Sequence, residues 1–270
     1  MTPSRTYAAV LLAALAGAAA AAFSLGAQPA RPAASSPMNT NLVVLDPAHG
    51  GAEPGATLGD KVFEKDITLA LMGRLRAALT AAGFTVVSTR EADNPDPPDT
   101  DQRAEIANRT HAVACIVLHA TATGSGLHVY TSTLPPAEDD DTESPSAFVP
   151  IPWDTAQAAF VRQSQSLAGS LSTALGNNHL PALTGQAPVR PLDNLMCPAV
   201  AIEMAPLLAP GAGSTPASDA KYQQQVAATL ATALRAWRDT LRPAAQAPSH
   251  AATHAPNPAA APAAQPKGKQ

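Results

Sequence analysis

The chain has 270 residues, 46% of them hydrophobic and 14% charged, and its 17 Lys and Arg against 21 Asp and Glu leave a net charge of −4. No basic stripe or block occurs, which argues against nucleic acid as a partner, and two cysteines are too few for a disulfide framework. Alanine dominates both ends while Val, Ile and Leu concentrate between about residues 42 and 241, so the foldable part is roughly 200 residues.

Residues 1–37 open with Arg5, continue as an apolar stretch from Tyr7 to Phe23, and pass through Ser24-Leu25-Gly26-Ala27 into a Pro/Ala-rich linker. This is the layout of a signal peptide. Its alanine-heavy apolar stretch is marginal for a membrane span, so export is expected, with no stable membrane insertion once the signal is cleaved. A retained anchor is the alternative. The run Leu42-Val43-Val44-Leu45-Asp46-Pro47-Ala48-His49-Gly50-Gly51 then reads as a core strand entering a tight loop that can carry chemistry.

From Glu64 to Ala82, the residues Ile67, Leu71, Met72, Leu75, Ala78, Leu79 and Ala82 recur at spacings of three and four, an amphipathic helix stopped by Gly83. Residues 84–88 form the next strand, and the order strand, helix, strand predicts a parallel crossover. After a proline-broken loop at 94–98, Asp99 or Thr100 caps a helix carrying Arg103, Ile106, Ala107 and Asn108. The continuous apolar run 113–118, ending in His119, suits a strand buried on both faces. Residues 127–131 are a further strand.

Residues 135–152, with Glu138, Asp139, Asp140, Asp141, Glu143 and several prolines, read as an exposed acidic insertion. Asp154 is expected to cap a helix whose Phe160, Leu167, Leu171, Ala174 and Leu175 share a face. Residues 198–203 form another apolar strand, and Tyr222, Val226, Leu230, Leu234, Trp237 and Leu241 line a final helix. The Pro/Ala-rich tail 243–270, with His250 and His254, lacks the periodicity needed to bury anything. Cys115 and Cys197 lie in or beside apolar strands and are expected as buried free thiols, one bridge being the alternative.

The expected fold is therefore α/β: a single domain over 38–242, with a mostly parallel twisted sheet and helices on both faces. In such sheets ligands bind outside the carboxyl ends of the strands. His49, His119 and Glu203 all stand at strand ends, and Glu64 opens the first helix within reach of the same crevice. Two histidines and a carboxylate are a set that zinc favours when one position stays open, and a nearby carboxylate such as Glu203 can move a proton during hydrolysis. Asp46 is placed to orient His49, and Arg103 to tie its helix to the sheet or loop. Glu64 by itself is ordinary first-turn helix chemistry. His111 and His179 fall in polar turns where solvated histidine is expected, whereas His128 is a rival for the metal.

These residues, taken together, resemble zinc-dependent N-acetylmuramoyl-L-alanine amidases with a D-P-G-H-G-G loop. The loop here is Asp46-Pro47-Ala48-His49-Gly50-Gly51, followed by Pro54-Gly55-Ala56; Arg103, Ala107 and Asn108 match the family's Arg-Ala-Asn element. Val117-Leu118-His119-Ala120 matches the strand that ends in the second histidine, and Pro198-Ala199-Val200-Ala201-Ile202-Glu203 matches the Pro-Ala-Val-x-x-Glu run. The resemblance implies a zinc ion on His49, Glu64 and His119, Glu203 as general acid and base, and peptidoglycan as substrate, cleaved between the lactyl group of N-acetylmuramic acid and L-alanine. An exported, periplasmic or envelope-associated enzyme fits that substrate. Three places depart from the pattern: Ala48 replaces a glycine, Thr121 an Asn or Asp, and Met204-Ala205-Pro206-Leu207 the usual run after the glutamate. They touch substrate positioning rather than metal binding. The rival readings are a non-catalytic envelope protein that binds peptidoglycan on the same fold, and a zinc peptidase acting on another amide.

Overall fold

The computed structural model describes residues 38–137, 152–209 and 213–241. The expected signal peptide at 1–37, the acidic run Glu138 to Asp141 and the tail 243–270 lie outside the described residues. Ten strands occur among them: β1 (Asn39–Pro47), β2 (Thr57–Gly59), β3 (Val62–Phe63), β4 (Thr85–Ser88), β5 (Ala112–Ala120), β6 (Leu127–Thr131), β7 (Ala182–Gln186), β8 (Ala199–Met204), β9 (Leu207–Ala209) and β10 (Gly213–Thr215). Four α-helices accompany them: α1 (Glu64–Ala81), α2 (Thr100–Asn108), α3 (Val161–Asn177) and α4 (Ala220–Leu241).

Six strands form one sheet in the order β4-β1-β5-β8-β6-β7. All neighbours run parallel except β8 and β6, which are antiparallel. The first crossover is as the sequence predicts, β1 to α1 to β4, with β1 and β4 paired directly. Side chains alternate across each strand, and the two faces take different partners. Val43, Leu45, Ile116, Leu118, Val200 and Ile202 pack on α1, α3 and α4 in the larger core. Val44, Cys115, Val117, Ala199 and Ala201 pack on α2 and the loop around Leu192 and Leu195 in the smaller one. Strands with both faces covered must be apolar throughout, which is why β5 is apolar without a break from Ala112 to Leu118.

Helix ends follow the capping rules where the residues allow it. Asp99 accepts from the Gln102 amide while the Gln102 side chain accepts from the Asp99 amide, a capping box that starts α2. Gly83, with φ +89, closes α1 and lets the Phe84 amide reach the Leu79 carbonyl. The expected start at Asp154 is a correction: residues Trp153–Phe160 form a 3₁₀ segment and α3 begins only at Val161. Buried Gln157 holds that segment in place by donating to the carbonyls of Leu195 and Cys197 and accepting from Ser164, an attachment stronger than a solvent-facing cap. Strand β7 was not expected either, because an edge strand of mostly exposed residues that includes Gly185 carries no apolar run.

The cysteines need a second correction. Cys115 and Cys197 are not free thiols; they form a disulfide across 82 residues, with Cα atoms 6.1 Å apart. Cys115 lies opposite Ala199 in the β5–β8 register, and its amide donates to the Pro198 carbonyl. The segment leading into β8 therefore lies beside β5, where the two sulfurs can meet.

Candidate metal centre

The loop after β1 is shaped by two buried arginines. Arg90, two residues past the end of β4, donates to the carbonyls of Pro47, Ala48 and Lys65. Arg103, from α2, donates to the carbonyls of Pro47 and His49 and pairs with Asp46 at 2.7 Å. Thr68 of α1 adds a hydroxyl donated to the Ala48 carbonyl. Three successive carbonyls of the loop are thus fixed by three side chains, and His49 is held at φ +64. A non-glycine residue in that left-handed region costs about 1–3 kcal/mol, which these bonds offset. Ala48 is not among the residues with positive φ, so the missing glycine does no harm there.

Asp46 does not orient His49, as its sequence position had suggested. Its carboxylate accepts from Thr89 and Arg103, and Arg103 in turn grips the His49 carbonyl. Arg103 does tie helix to loop, as expected. Arg90 is the residue that sequence reading passed over; the signal available was an arginine two residues after the strand that follows the first helix.

Glu64 is 5% exposed and opens α1 beneath this loop. Its backbone amide donates to the Ala56 carbonyl, and its Oε2 accepts in return from the Ala56 amide at 2.9 Å. His49 Nε2 lies 3.1 Å from that Oε2, and His119 Nδ1 lies 2.8 Å from Oε1, which also accepts from the Ala120 amide. One ligand atom from each of His49, Glu64 and His119 falls within 4.8 Å of the others. Burial works to raise the Glu64 pKa, but the two imidazoles and the Ala56 and Ala120 amides outweigh it and hold the carboxyl well below its usual range. The Glu64 hydrogen bond raises the His49 pKa against the opposing effect of burial.

The other ring nitrogen of His119, Nε2, is buried with no hydrogen-bond partner. An orphaned imidazole nitrogen beside a buried carboxylate and a second imidazole is chemically what a divalent cation with N and O preferences would satisfy. Both imidazoles border a crevice of about 460 Å³ that is also lined by Glu53, Pro95, Arg103 and Arg190.

Glu203 stands one strand away, opposite His119 in the β5–β8 register. Its side chain is 32% exposed, and its Oε2 lies 3.0 Å from Nδ1 of His128 on β6. His128 is thereby placed on Glu203 rather than in the three-residue cluster for which it was a rival. His111 and His179 are exposed in turns, as expected.

Residues 43–236 match the family model described as N-acetylmuramoyl-L-alanine amidase. Among curated proteins, the germination-specific N-acetylmuramoyl-L-alanine amidase of Bacillus subtilis is 35% identical over 100 residues, 33% of this chain and 42% of that one. An N-acetylmuramoyl-L-alanine amidase of Mycobacterium tuberculosis is 33% identical over 117 residues, 35% of this chain and 48% of that one. The matched stretches thus span less than half the length of either relative. The solved N-acetylmuramyl-L-alanine amidase of Mycobacterium smegmatis shares the fold with a TM-score of 0.57, at 22% identity over 76% of this chain and 100% of that one.

Proposed function

The chain belongs to the N-acetylmuramoyl-L-alanine amidase family, and from that membership we propose that it hydrolyses the amide between the lactyl group of N-acetylmuramic acid and L-alanine in peptidoglycan. In this reading residues 38–242 are the catalytic domain, and His49, Glu64 and His119 hold zinc. The observation that carries the metal assignment is the buried, unpartnered Nε2 of His119 beside a carboxylate shared by two imidazoles. Zinc in such a set supplies Lewis-acid polarisation of the amide carbonyl. Two imidazoles and one carboxylate with a position left open are a ligand set that suits zinc, which supports the choice of metal in this reading.

Glu203 is the general base and acid. Its carboxylate takes the proton of the attacking water as the new C–O bond forms, and delivers it to the departing nitrogen as the C–N bond breaks. The products are a free lactyl carboxyl and a new L-alanine amino group. The same reading puts the reaction outside the cytoplasm, where peptidoglycan lies. The Cys115–Cys197 bridge supports that placement, since disulfides persist in oxidising compartments. Among the described residues no helix is long and apolar enough to cross a membrane.

The test incubates the zinc-loaded protein with peptidoglycan and follows both product ends. Appearance of lactyl carboxyls and L-alanine amino termini is expected. Retention on the polymer without products would replace the hydrolase by a binder, and cleavage inside the stem peptide would make it a peptidase. Glu203→Gln should abolish turnover with zinc content intact; loss of zinc in that variant would overturn the role given to Glu203.

A further inference from the structure

We infer that His128 is a positioning residue for Glu203, holding one carboxylate oxygen so that the other is left free for proton transfer. The inference rests on the acid–base role proposed above for Glu203. It starts from strand register. His119 on β5 is paired with Glu203 on β8, and Glu203 is paired with His128 on β6. Residues directly opposite on neighbouring strands point to the same face, so the three side chains form one row across three adjacent strands. Glu203 stands in the middle, with the three-residue cluster on one side and an imidazole on the other.

His128 Nδ1 lies 3.0 Å from Glu203 Oε2, a hydrogen bond in which the ring N–H donates to the carboxylate. No described residue donates to Oε1, and no arginine or lysine pairs with this carboxylate among the described residues. A glutamate at 32% exposure has three side-chain torsions to fix, and this single bond does the fixing. The imidazole is itself confined. It is 19% exposed, the Tyr130 ring centroid lies 6.1 Å away, and a β-carbon built on Gly124 would lie 3.2 Å from its Cε1. The turn that follows β5 thus closes over the ring. Displacement of a reacting group by about 1 Å can cost about 100-fold in rate, so an unheld Glu203 would be a slower acid and base without any change in how substrate is bound.

The test uses the zinc-loaded full chain, a soluble muropeptide, and two variants. His128→Phe keeps the ring but removes the donor, while His128→Asn keeps a donor near the position of Nδ1 and cannot titrate. For His128→Phe, kcat should fall by about 10–100-fold with KM and zinc content unchanged, and His128→Asn should recover most of that loss. A wild-type kcat in the Phe variant, a change confined to KM, or zinc loss in the folded Asn variant would overturn the inference. A second measurement does not depend on turnover or on the Phe variant folding. At about pH 8, above the ordinary imidazole range, nitrogen–proton correlation spectra of the wild-type chain should show His128 protonated at Nδ1, reverting to Nε2 in Glu203→Ala. An Nε2–H tautomer in the wild type would sink the pair. An Nδ1–H tautomer in a chain without amidase turnover would instead reject the hydrolase reading and leave the His128–Glu203 pair standing.

Discussion

At Gly55, where φ is +68, a β-carbon would lie 2.6 Å from His49 Cδ2 and 2.7 Å from Glu64 Oε2. Nothing but hydrogen fits there, because the loop must cross directly over the proposed ligands, and the backbone conformation disfavours any side chain as well. Gly55→Ala is expected to reduce bound zinc severalfold while far-ultraviolet circular dichroism stays native; metal analysis of the purified variant decides it. Titration of the metal-free protein reads the same cluster. The lowered Glu64 pKa contributes stability that is present above its ordinary 4.5 and is lost as pH falls through the folded value. The raised His49 pKa contributes stability that is present below its ordinary 6.5 and is lost as pH rises through the folded value. Metal-free protein should therefore gain most from this pair between pH 4.5 and 6.5. Urea unfolding across pH should show that gain in the wild type and a flatter profile in Glu64→Gln.

Strands β5 and β8 do most of the positioning at the level of elements, since each ends in a residue assigned to the site and they are neighbours in the sheet. The disulfide staples the same two segments, four residues before His119 and six before Glu203. Closing an 82-residue separation should stabilise the fold by about 4 kcal/mol on the chain-entropy account. The double variant Cys115→Ala with Cys197→Ala is expected to unfold at lower urea by that order, with zinc stoichiometry unchanged because neither cysteine touches the cluster. Loss of zinc together with stability would show that the staple also sets the site's geometry. Helix α2 acts differently, through one residue: Arg103 carries a buried ion pair and two loop carbonyls at once. A buried guanidinium with a carboxylate and carbonyls around it fixes a loop more tightly than apolar packing can, because each bond has a direction.

Viewed as a whole molecule, the proposed ligands come from three separate stretches of chain, so a cation bound to them can only be bound by the folded state. Linkage then predicts stabilisation: zinc at about 100 times its Kd should raise unfolding free energy by about 2.7 kcal/mol, and chelation should reverse it. Thermal melts with zinc, without it, and in His119→Ala measure this, the variant showing no zinc-dependent rise. The amino-acid sequence by itself settled the α/β class, the apolar strands β1, β5 and β8, the helices α1 and α4, and the residues to examine, because periodicity, capping residues and a histidine closing an all-apolar strand are local signals. It also carried the family resemblance, which rests on short runs such as 46–51 and 198–203. What it left open depends on register and on which chain segments lie side by side. Only the tertiary structure paired Cys115 with Cys197, moved Asp46 from His49 to Arg103, brought Arg90 under the loop and set His128 against Glu203. Those contacts join residues 43 to 82 positions apart, and no spacing rule along a chain reports a distance across a sheet.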